Sequence, residues 1–169
     1  ALVLAQLRYI IGEENFWETL KKYYNDWAFK HPTPNDFMRC AEKTSGMELE
    51  WFLTDWTQTT NTIDYGVKDA VALEGQTIVT LERIGLMPMP VEVQVLMKDG
   101  RKKEYYIPLQ MMRGERPLRN NETLLEDWAW AYPEYRFTVD VNPAKIESIT
   151  IDVNKETADI NKENNQLKI

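Results

Sequence analysis

At 169 residues with a net charge of −7 and one cysteine, Cys40, the chain has room for one large domain or two small ones, and no internal disulfide is possible. Its acidity argues against a nucleic-acid partner, because an acidic surface repels phosphates. With 43% hydrophobic and 28% charged residues the composition is that of an ordinary globular protein.

Leu2, Val3, Leu4, Leu7, Ile10 and Ile11 predict a helix over 1–11, stopped at Gly12. It is too short to cross a bilayer and lacks the basic start and cleavage site of a signal peptide, so no membrane is expected as partner. Leu2, Leu4 and Ile11 do not share one stripe with Leu7 and Ile10, so the helix is apolar on most sides. Such a helix, starting without an N-cap, is expected in a piece cut from a longer protein. Alone it should leave an apolar patch, with Leu4 and Ile11 on the open side, through which the chain self-associates. A second helix is predicted from about Glu13 to Ala28. Phe16, Trp17, Leu20, Tyr23, Tyr24 and Trp27 form one broad face expected to be core. Lys30-His31-Pro32 breaks it. Thr33 as N-cap, Pro34 at the first helical position and Asp36 in the first turn start a third helix that ends at Ser45-Gly46. Leu49, Phe52, Leu53 and Trp56 draw a fourth, with Phe52 and Trp56 as its core anchors and Trp51 turned toward a second surface.

From about Thr62 the period changes to two. Val67 to Leu73 and Thr77 to Ile84 are β-branched runs around Glu74-Gly75-Gln76, and Val91, Val93, Val95 and Met97 alternate toward Asp99-Gly100, a strong hairpin signal. The return strand is Arg101 to Leu109. Phe137, Val139 and Val141 alternate again, as do Ile149, Ile151 and Val153, and Leu124 to Trp130 can hold one more strand. These patterns predict an α+β chain: an all-α helical segment over 1–61, an antiparallel, immunoglobulin-like β-sandwich over 62–153, and a polar tail over 154–169. That tail is expected to be mobile or loosely packed.

No catalytic, cofactor-binding or metal-ligating residue is assigned. The only histidine, His31, cannot build a zinc site and is expected at the surface. Cys40 reads as a small buried thiol. Ser45 and Ser148 have no motif of an activated nucleophile. Asp152, Asn154, Glu156 and Glu163 match four positions of a calcium-loop template, but Thr157 stands where glycine is needed, which leaves a solvated polar tail as the reading. Trp128 and Trp130, with the loop from Arg113 to Asn121, offer a surface for glycan or protein, and this autonomous binding module is the alternative function.

Leu7-Arg8, Gly12-Glu14-Phe16, Tyr23-Tyr24, Asp36-Phe37, Gly46-Leu49 and Trp56, in that order, resemble the post-catalytic helices of aminopeptidase N-like zinc metallopeptidases, the gluzincins. Pro88-Met89-Pro90-Val91 before the alternating strand is similar to the β-sandwich that follows the catalytic domain in that family. The stretch from Ile151 to Gln166 looks like the close of bacterial secreted-type members, with Val153 where a proline is common. The resemblance implies a parent that removes residues from peptide N-termini with zinc. Its ligands and catalytic groups would lie upstream, so none carries over to a residue here. The chain would then be the non-catalytic C-terminal part, its partner the upstream catalytic domain, and its parent secreted or periplasmic.

Overall fold

The computed structural model describes all residues from Ala1 to Ile169. Four helices come first: α1 (Leu2–Ile11), α2 (Glu13–Trp27), α3 (Pro34–Ser45) and α4 (Glu50–Gln58). Eight strands follow: β1 (Tyr65–Leu73), β2 (Gln76–Arg83), β3 (Val91–Met97), β4 (Lys102–Ile107), β5 (Glu122–Leu124), β6 (Glu134–Val139), β7 (Ile146–Ile151) and β8 (Gln166–Lys168). One sheet has the order β1-β2-β6 and the other β5-β4-β3-β7-β8. The α+β class holds, and all pairs are antiparallel except β4 with β5. No helix is long and apolar enough to cross a membrane.

The helix boundaries follow local chemistry. Asp36 accepts both the backbone N–H and the hydroxyl of Thr33 at 2.8 Å, which holds the start of α3 and lowers the Asp36 pKa. Gly46 closes α3 with φ 71°, a left-handed conformation that costs glycine little. Asp99-Gly100 joins β3 to β4 as the sequence predicts.

Helices and strands share one hydrophobic core of 30 buried residues, among them Leu7, Ile10, Phe52, Val79, Leu81, Val93, Val95 and Ile149. Tyr9 on α1 reaches across it to donate to the Pro90 carbonyl at 3.1 Å. Tyr105 of β4 meets Phe137 of β6 at 5.2 Å between ring centroids, so the two sheets touch through aromatic side chains.

Several expectations fail on burial. On α2 only Phe16 and Thr19 are buried, while Trp17 is 50% and Tyr24 68% exposed. At about 100° per residue both lie on one flank of an arc centred on Phe16, Thr19, Leu20 and Tyr23. That arc is what α3 covers, with Thr19 Oγ1 against Thr44 Oγ1 at 2.6 Å and Tyr23 edge-on to Phe37. Ile11 is fully buried rather than on an open side, because it falls on the side of α1 that joins the core shared with the strands. The open residues of α1 are Leu2, Val3 and Leu4.

The C-terminal stretch is not loosely packed. Gln166–Lys168 pairs with β7, and Ile63 bridges to Asp159. Gln6 on α1 donates to the Glu156 carbonyl and accepts the Ala158 N–H, at 3.0 and 2.9 Å. The Asp159 carboxylate, buried, accepts the Tyr65 N–H at 3.0 Å. Polar side chains fasten this segment, so hydropathy gives no sign of it.

Candidate functional site

The residues that gather charge centre on Arg116 and Arg119, within the Arg113–Asn121 loop that the sequence offers only as a binding surface beside Trp128 and Trp130. The chain leaves η-turn Gln110–Met112 through Arg113, whose φ is 48°, and then carries Arg116 inward under the sandwich. The Arg116 side chain is only 2% exposed. Its Nη2 donates to Glu92 Oε1 of β3 at 2.7 Å and to Glu122 Oε1 of β5 at 2.8 Å. Nη1 donates to Glu122 Oε2 and to the Pro117 carbonyl, both at 2.9 Å. The guanidinium lies 4.2 Å from the centre of the Tyr106 ring. Arg119 extends the cluster: its Nη1 donates to Glu92 Oε2 at 3.2 Å and to Glu156 Oε2 at 2.7 Å, and its backbone N–H donates to Glu122 at 2.6 Å.

Burial pushes Glu92 up, against the pull of Arg119 and Arg116. Glu122 is also desolvated, but its bonds to Arg116 and to the Arg119 N–H hold it below the ordinary range. The cluster thus joins β3, the loop that carries Arg116 and Arg119, β5 and the C-terminal stretch through charge-assisted bonds, and reaches β4 through the Tyr106 ring. One side of it opens on a polar cleft of about 550 Å³ between α1, the start of α2 and this loop, lined by Arg8, Tyr9, Glu13, Arg116, Arg119 and Glu156. Arg8 is paired with Glu13 at 2.9 Å, so each arginine lining the cleft already has a carboxylate partner. This is a clasp between segments.

The residues weighed from the sequence are scattered. His31 is exposed in the turn before α3. Cys40 is buried on α3 and burial raises its pKa, as expected of a packed thiol. Ser45 donates to the Ala41 carbonyl, and Ser148 is buried within β7. The Asp152 carboxylate accepts the Glu156 and Thr157 N–H groups and the Thr157 hydroxyl, while Glu156 goes to Arg119. No three His, Cys, Asp or Glu side chains are placed to share a metal ion.

Trp128 and Trp130 do not form a stacking platform. Trp128 is buried against Tyr65 and Tyr135 and donates Nε1–H to the Tyr132 carbonyl at 2.8 Å. Trp130 is covered by the Arg83 guanidinium, 3.7 Å from its ring centre. Sequence reasoning missed the cluster because Glu122, six residues from Arg116, lies in a stretch without periodicity, and Glu92 is 24 residues from Arg116 and Glu156 37 from Arg119. No local signal marked Glu92, because a charged residue alternating with Val91 and Val93 is the ordinary pattern of a strand with one solvent-facing side.

No protein-family profile matches the chain, and neither does any curated protein. Among solved structures, aminopeptidase A of Legionella pneumophila, crystallised in complex with aspartic acid, superposes with a TM-score of 0.63 at 14% identity. The superposition covers 94% of this chain and 16% of that one, so the chain spans about a sixth of the length of the protein it matches. At that identity the likeness establishes a shared fold: this chain is built like one portion of an aminopeptidase.

Proposed function

We propose that the chain is the non-catalytic C-terminal part of a zinc-dependent aminopeptidase-like protein, in which α1–α4 buttress the catalytic domain and the β-sandwich packs behind them. The observation that carries this reading is the superposition, since nearly the whole chain matches a small portion of an aminopeptidase. The order of motifs from Leu7-Arg8 to Trp56, which resembles the post-catalytic helices of gluzincins, supports the same portion. In this reading zinc belongs to the upstream part, because one histidine cannot supply the ligands of a catalytic site. The isolated chain is expected to release no chromophore from aminoacyl-nitroanilides and to hold no stoichiometric zinc after dialysis. One tightly bound zinc per chain with hydrolysis would overturn the proposal.

The surface proposed to meet the catalytic domain is the start of α1. Leu2, Val3 and Leu4 are 55%, 39% and 41% exposed. Leu2 also lines a groove of about 280 Å³ with Trp56, Ile63, Met87 and Ile160. Exposed apolar area of this kind favours burial against a partner. Without the catalytic domain the chain is expected to self-associate here, and Leu4→Lys is expected to weaken that association in sedimentation velocity. Ile11→Lys, which places a charge in the core, is expected to unfold the chain instead.

A further inference from the structure

We draw no further inference here: the strongest candidate, the polar cleft between α1, the start of α2 and the loop that carries Arg116 and Arg119, belongs to the clasp already described, because each arginine that lines it is already held by a carboxylate.

Discussion

Arg116→Met is expected to destabilise the fold by about 3–5 kcal/mol, the usual consequence of removing one partner from a buried ion cluster. The variant leaves Glu92 and Glu122 facing each other with part of their countercharge gone, on strands β3 and β5 that only β4 separates. Arg119 retains one bond to each carboxylate, through its guanidinium to Glu92 and its backbone N–H to Glu122, so the loss should fall toward the lower end. Arg119→Met provides the contrast. Its side chain is 41% exposed, and partly solvated pairs contribute about 1 kcal/mol or less. Urea titration of both variants measures the difference. A loss for Arg116→Met no greater than for Arg119→Met would mean that the cluster is not what joins the loop, the sheet and the C-terminal stretch.

The second large effect is expected at Phe52. It is 1% exposed within the core that helices and strands share, with Trp51 edge-on at 5.8 Å and Trp56 tilted at 5.9 Å between ring centroids. Phe52→Ala leaves a cavity in a core shared by helices and strands, and about 3–5 kcal/mol is the expected loss. Sequence alone gives Phe52 and Trp56 equal weight. The structure separates them, because Trp56 is only partly buried and lines the groove beside Leu2. Trp56→Ala should therefore cost less than Phe52→Ala in the same titration. Equal losses would place Trp56 in the core after all.

The helices and the main strands were legible because their signals are local. Thr33, Pro34 and Asp36 mark one helix start, Gly12 and Gly46 mark two ends, and the Asp99-Gly100 turn closes its hairpin between alternating strands. The depth of burial was less legible. The apolar pattern of α2 predicts a face wide enough to bury Trp17 and Tyr24, but a helix covered mainly along the line of Thr19 and Thr44 buries a narrower arc. The packing of the C-terminal stretch is hidden for a different reason. Its anchors are Asp152, Asp159, Asn164 and Gln6, polar side chains whose partners lie up to 152 residues away. Hydropathy registers such residues as solvent-facing, although a buried polar group with its bonds made is equally at home inside. The Arg116 clasp was hidden in the same way: Arg113 to Asn121 reads as an exposed loop until Glu92 and Glu122 are seen around Arg116.

The central claim, that this fold serves as the scaffold of a zinc aminopeptidase-like parent, is tested most directly by determining the coding sequence that runs into the Ala1 codon. The account predicts a continuous open frame upstream that encodes a His-Glu-x-x-His helix followed by a further glutamate, the ligand pattern of a catalytic zinc site. An initiation codon set directly before Ala1, or an upstream frame without that pattern, would contradict it.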